Sequence, residues 1–215
     1  MNLGELIAKG NTAKIYLHEN KVIKLFEEYL PNTESTNEAK KQKYAYSCGL
    51  PVPNVFEVTK IQNRQAIIME YVKGENIGEL LLNNLNKAEH YINICVNEQK
   101  KIHSIRVNID EMEPMRERLE CQIKSVHKLD ENKKKNILQK LDSIDIRADV
   151  FRTYLLYAQA SVELAEMYLH MYCRNTGLSR DEIFQWAPII ITARFAEKIS
   201  PHNAVYLNGV LDQYV

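Results

Sequence analysis

The spacing of apolar residues changes once along this chain, and that change limits what it can fold into. Up to about Met69 the apolar residues sit in short runs rich in β-branched and aromatic types, bounded by Gly, Pro and Asn. After Val72-Lys73-Gly74 they recur at three and four, the spacing that puts one apolar stripe on a helix. An all-β or all-α chain would keep one period throughout. The expected class is therefore α+β, a sheet-bearing N-terminal part followed by a helical C-terminal part.

Leu3 to Ala8, Ala13 to Leu17 and Lys21 to Phe26 read as three antiparallel strands, separated by Gly10-Asn11 and Glu19-Asn20. Thr33 to Cys48 reads as a helix, with Ser35 or Thr36 as its cap and Gly49 as its stop. Pro51 and Pro53 force an extended exit, and Val55 to Val58 and Gln65 to Glu70 complete a five-stranded sheet. Downstream, helices are expected at Ile77 to Leu82, Ala88 to Ser104, Glu113 to Val126, Glu131 to Leu141, Ala148 to Cys173, Arg180 to Ile199 and Pro201 to Tyr214. The boundary falls in the small hinge Tyr71 to Gly74, giving a lobe over residues 1–72 and a helical lobe over 73–215.

Lys+Arg 28 against Asp+Glu 28 leaves no net charge, so no whole-molecule field attracts nucleic acid or anionic lipid. Cys48, Cys95, Cys121 and Cys173 have no metal-ligand or redox spacing and read as reduced, buried thiols. The opening MNLGELIAKG lacks a basic region followed by an apolar one, and no apolar run is long enough to span a bilayer. A cytoplasmic protein without a membrane partner is the expectation.

Gly10-Asn11-Thr12-Ala13 lies between the first two strands, where a glycine lets backbone N–H groups approach phosphates. Lys24 sits in Val22-Ile23-Lys24-Leu25-Phe26, flanked by apolar residues, an unusual setting for an ammonium unless a carboxylate or phosphate meets it. The alternative is a lysine on the solvent face of an edge strand. An acidic partner on the following helix is expected, Glu38 rather than Glu34 one turn earlier.

Gly10-Asn11-Thr12-Ala13-x-Ile15-Tyr16, Val22-Ile23-Lys24-Leu25-Phe26, Gly49-Leu50-Pro51-Val52-Pro53, Ile68-Met69-Glu70-Tyr71-Val72-x-Gly74 and Ala148-Asp149-Val150-x-Arg152-Thr153-Tyr154 together resemble the aminoglycoside phosphotransferase and choline-kinase-like family. The resemblance implies a bilobal protein-kinase-like fold and ATP or GTP γ-phosphoryl transfer to a small-molecule acceptor. It implies nucleotide contacts at Gly10, Asn11, Lys24 and Glu38, and a hinge at Glu70 and Val72 where adenine meets backbone groups.

The family's metal-binding and catalytic residues have no counterpart here. The seven aspartates are Asp110, Asp130, Asp142, Asp145, Asp149, Asp181 and Asp212, and none has an asparagine five residues on. No histidine has an aspartate two residues later, and no aspartate precedes Trp or Phe-Gly. By resemblance the missing segment would lie between Lys134 to Leu141 and Ala148-Asp149, so the apparent deletion falls near 142–148. Either the deletion is real or the sequence omits a segment, and both stay open. With no catalytic residue and no acids to hold Mg²⁺, the chain is expected to be a catalytically impaired member that retains nucleotide contacts. Asp142 and Asp145 are poor replacements without an asparagine-bearing partner loop. The second reading is a non-catalytic nucleotide- or partner-binding module, and the third a homo-oligomer formed through helix surface left uncovered.

Elsewhere the plainer readings are preferred. His103 is expected to be a packed helix-end histidine rather than a catalyst, and Lys133-Lys134-Lys135 a solvated helix face. Tyr154, Tyr157, Tyr168 and Tyr172 recur at helical spacing as core and groove-lining residues. Glu163, Glu166 and Asp181, which by resemblance could contact a cationic acceptor, are read as surface charges.

Overall fold

The computed structural model describes residues 3–106, 115–127, 129–197 and 201–214. The chain divides into two compact units, the first running to Glu75 and the second beginning at Asn76.

The first unit holds five strands: β1 (Glu5–Lys9), β2 (Ala13–His18), β3 (Lys21–Phe26), β4 (Val55–Ile61) and β5 (Arg64–Glu70). They form one antiparallel sheet in the order β1-β2-β3-β5-β4. Two hairpins close on residue pairs held in the left-handed region, Glu19 and Asn20 at φ 46° and 61°, Gln62 and Asn63 at φ 52° and 64°. Such turns match the right-handed twist of the strands they join. The second hairpin is longer than the sequence suggests, because β4 continues to Ile61 and β5 starts at Arg64.

Strand alternation assigns the faces of β3. Ile23 and Leu25 pack with Ile61, Ala66 and Ile68 on one side, while Phe26 packs with Ile67, Met69 and Ala39 on the other. Ala39 belongs to helix α1 (Glu34–Ser47), so the face that carries Val22, Lys24 and Phe26 is the helix-covered one. The helix starts and stops as expected, but its cap differs. Thr33 occupies the N-cap position without a side-chain bond, and Ser35, already inside the first turn, is buried. Its N–H and hydroxyl both donate to Gln65 Oε1 at 3.1 Å, and Gln65 Nε2 donates to Pro31 O at 2.8 Å, so the serine ties the helix to β5 instead of capping it. At the other end Gly49 takes φ +78°; its N–H bonds Tyr46 O and that of Leu50 bonds Ala45 O, the paired closure that favours glycine.

Gly4 is the glycine that this unit cannot exchange. Its φ is +79°, and an added Cβ would lie 2.1 Å from the Leu17 carbonyl oxygen. Gly4→Ala is expected to cost at least about 1–2 kcal/mol from the left-handed conformation alone, and to loosen β1 from β2. Urea unfolding measures the loss, and hydrogen exchange at Leu6 and Ala8 localises it; an unchanged midpoint would contradict this account.

The second unit contains α2 (Ile77–Asn83), α3 (Ala88–Ser104), α4 (Met115–Ser125), α5 (Glu131–Lys140), α6 (Ile146–Ala160), α7 (Val162–Thr176), α8 (Arg180–Phe184), α9 (Ala187–Arg194) and α10 (Pro201–Tyr214). Glu113, where the sequence reading started α4, lies outside the described residues. Two helices read as continuous are each broken. Ser161, at φ −162°, ends α6 and caps α7 by accepting the Leu164 N–H at 3.2 Å. Pro188 has no N–H to continue the turn from Phe184, and it lies in the first turn of α9, where proline is tolerated. Ser179 and Glu182 form a reciprocal capping box that starts α8.

The join between α5 and α6 is ordered and short. A 3₁₀ turn at Leu141–Ser143 buries Leu141, and Asp145 then caps α6 through the Arg147 N–H. One apolar core unites the unit, with Ile92, Ile123, Phe151, Tyr168, Ile183 and Ile191 completely enclosed.

Three side-chain expectations need correction. The four cysteines are free, but Cys121 is exposed, Cys48 is exposed where it ends α1, and Cys95 and Cys173 are only half-buried, Cys173 at the edge of the core. Lys134 is not solvated like its neighbours: its stem is buried beside Ile137, and its ammonium emerges to meet Glu131 at 2.8 Å. Glu166 is not a free surface acid, since Arg180 donates to it at 2.7 Å and Tyr154 at 2.8 Å.

Candidate functional site

In the first unit Lys24 lies mid-strand, paired in register with Ile15 of β2 and Ile67 of β5. Its side chain, 21% exposed, crosses the helix-covered face, and Nζ meets Glu38 Oε1 at 2.5 Å. Glu34 makes no such bond, because it opens the helix one turn too early. The ammonium also lies 5.1 Å from the centre of the Phe26 ring, which adds a modest attraction. A short charge-assisted bond at a partly screened site holds the long lysine in one direction, which a flexible surface lysine lacks.

Arg64 and Gln65 were not singled out from sequence, yet they brace this pair. Arg64 donates twice to the Phe26 carbonyl, at 2.9 and 2.7 Å, and once to Glu27 Oε2 at 3.0 Å. Gln65 anchors α1 as described above, so both ends of the Lys24–Glu38 span are tied to β5.

The Gly10 turn closes on its own backbone. Gly10 N–H bonds Ala13 O at 2.9 Å, closing the turn on Asn11 and Thr12, and the Asn11 carbonyl accepts the Tyr29 hydroxyl at 2.6 Å. An added Cβ on Gly10 would make only an ordinary contact with Ala13, so the fold does not demand glycine there. At the end of β5, Glu70 is committed to Asn54: its N–H donates to Asn54 O at 2.9 Å and its carboxylate accepts the Asn54 N–H at 3.1 Å. Val72 follows the strand, is 60% exposed and makes no backbone hydrogen bond among the described residues.

The Lys24 ammonium has donors beyond the one given to Glu38, and an anionic oxygen matches it in charge. Divalent metal is less well served: among the described residues no three His, Cys, Asp or Glu side chains converge as ligands. No helix of the described residues is long and apolar enough to cross a membrane.

The second unit holds a polar network that the sequence did not disclose as a whole. His103 is a packed histidine, as expected, with a side chain 10% exposed. Its Nε2 faces Asp149 Oδ2 at 3.1 Å and its Nδ1 faces the Tyr172 hydroxyl at 2.9 Å. Gln99 Nε2 donates to the same Asp149 oxygen at 2.9 Å and to Thr153 Oγ1 at 3.1 Å, while Gln99 Oε1 accepts the Tyr168 hydroxyl at 2.5 Å. Burial opposes ionisation of Asp149, yet the bonds from His103 and Gln99 outweigh it and hold the carboxyl below its ordinary range. The ionised carboxylate is met by a proton on His103 Nε2, while Nδ1 faces the Tyr172 hydroxyl. Both imidazole nitrogens are therefore engaged within the unit. The available signal was that Gln99 and His103 continue the buried stripe of Ile92 and Val96 along α3.

No model of a known protein family matches this chain, and no curated protein matches it in sequence.

Proposed function

We propose that the first unit is the nucleotide-binding lobe of an aminoglycoside-phosphotransferase-like small-molecule kinase, in a form that binds ATP or GTP and turns it over poorly. The bond from Lys24 to Glu38 carries this proposal. A strand lysine held by a helix carboxylate is how kinase-type sites direct an ammonium at the α- and β-phosphates, and the pair here spans a sheet of the required antiparallel form. Impaired turnover follows from the missing aspartate–asparagine pair and metal acid, without which the charge that develops during transfer is left unbalanced. The acceptor would be a small-molecule hydroxyl.

Thermal-shift titration of the whole chain with ATP, with and without Mg²⁺, tests nucleotide binding. A saturable rise in Tm that persists without metal and shrinks at least about tenfold in apparent affinity in Lys24→Met, a loss of about 1.4 kcal/mol, is expected. No shift at millimolar ATP would refute the nucleotide site. Robust ATP consumption with an amine or sugar acceptor would refute the impairment.

A further inference from the structure

A polar cavity open to solvent lies within the second unit, about 680 Å³ in volume, between the 3₁₀ turn Leu85–Lys87 with the first turns of α3 and the last turns of α7; all its lining side chains but Met171 are exposed. Lys87, His90 and Asn93 enter it from one side, His170 and Arg174 from the other. Its only carboxylate is Glu89.

The cations of this cavity form no ion pair among the described residues, as is true of half of the unit's other described Lys and Arg side chains. Lys101, Arg116, Lys124, Lys134, Arg147, Arg180 and Arg194 each reach a carboxylate within the chain. Lys87 and Arg174 reach none among the described residues, although Glu89 is close in sequence. The side chains of Asn93 and His170 likewise make no hydrogen bond within the described chain. A concave surface with two unpaired cations, two imidazoles and side-chain amides, and one carboxylate against them, has capacity for an anion with hydroxyl groups.

We propose that this cavity binds a small phosphorylated polyol or sugar, with Arg174 and Lys87 on the phosphoryl group and Asn93 and the imidazoles on hydroxyls. Arginine's planar fork matches two phosphate oxygens at once, and lysine adds a point charge. The volume exceeds that of inorganic phosphate alone and suits a ligand of hexose-phosphate size. The lining is polar, which excludes an apolar ligand. Nothing in this site depends on Lys24 or on nucleotide.

Glucose 6-phosphate, glucose and inorganic phosphate are the probes, titrated into the whole chain by calorimetry with histidine ring NMR signals as the local readout. Saturable binding of glucose 6-phosphate is expected, with inorganic phosphate at least tenfold weaker, glucose alone not bound, and the signals of His90 and His170 moving. Arg174→Gln and Lys87→Gln should each weaken binding at least tenfold, and Lys24→Met should leave it unchanged. All three side chains sit outside the apolar core, and circular dichroism establishes that the variants fold. Absence of saturable binding, or binding indifferent to Arg174→Gln, overturns the proposal. Equal affinity for phosphate alone overturns the sugar assignment.

Discussion

Phe151→Ala should lower the unfolding free energy by about 3–5 kcal/mol, the range for truncating a fully enclosed phenylalanine. Phe151 has no exposed surface and lies against two other rings, Phe184 at 5.0 Å in an edge arrangement and Tyr154 at 6.0 Å nearly parallel. Truncation removes the apolar transfer of the ring and leaves a void between α6 and α8 that those large neighbours cannot fill without leaving their rotamers. Against a typical domain stability of about 5–15 kcal/mol this is a large share. Urea unfolding should move the midpoint with little change in slope. Phe151→Leu, which keeps most of the volume, should cost less than half as much. A loss under about 1 kcal/mol for the alanine variant would mean that this cluster is not the centre of the core.

Gln99→Leu is expected to cost about 1–3 kcal/mol at neutral pH, because it takes the acceptor from the buried Tyr168 hydroxyl and a donor from the half-exposed Asp149 carboxylate. Tyr168, with no exposed surface, loses the acceptor of its hydroxyl, and Asp149 loses one of the two donors that keep it ionised. The second effect depends on pH. Because the folded carboxyl of Asp149 titrates below its ordinary value of 3.8, its stabilisation is complete above that pH and disappears as pH falls through the depressed folded value. Leucine at position 99 raises that folded value, so the gap between wild type and variant should narrow below about pH 4. The Tyr168 contribution does not titrate there and should persist. Unfolding curves at pH 7, 4.5 and 3 measure both parts. A gap that stays constant down to pH 3 would remove Asp149 from the network's energetics, and one below about 0.5 kcal/mol throughout would remove the network itself.

Sequence reasoning and structure part company at identifiable residues. The Lys24–Glu38 pair was legible because an ammonium amid apolar strand neighbours needs a counter-charge, and Glu38 lies a whole turn inside the helix where a side chain can reach the sheet. Its braces were not, since Gln65 and Arg64 carry no pattern until β5 lies beside β3 and α1. Ser35 shows the same limit: a serine near a helix start signals a cap, and only the nearby Gln65 amide redirects it. His103 was expected to be packed, yet its partners Asp149 and Tyr172 are distant in sequence.

Local chemistry by itself determined the α+β class, the strand and helix sequence, the glycine stop at Gly49 and the change of period after Val72. These depend on neighbours within a few positions, where backbone sterics and side-chain spacing act directly. Tertiary structure decided the strand order β1-β2-β3-β5-β4, the polar network on Asp149 and the cavity that leaves Arg174 unpaired. Those depend on which distant surfaces meet, and burial sets their energies only once they do.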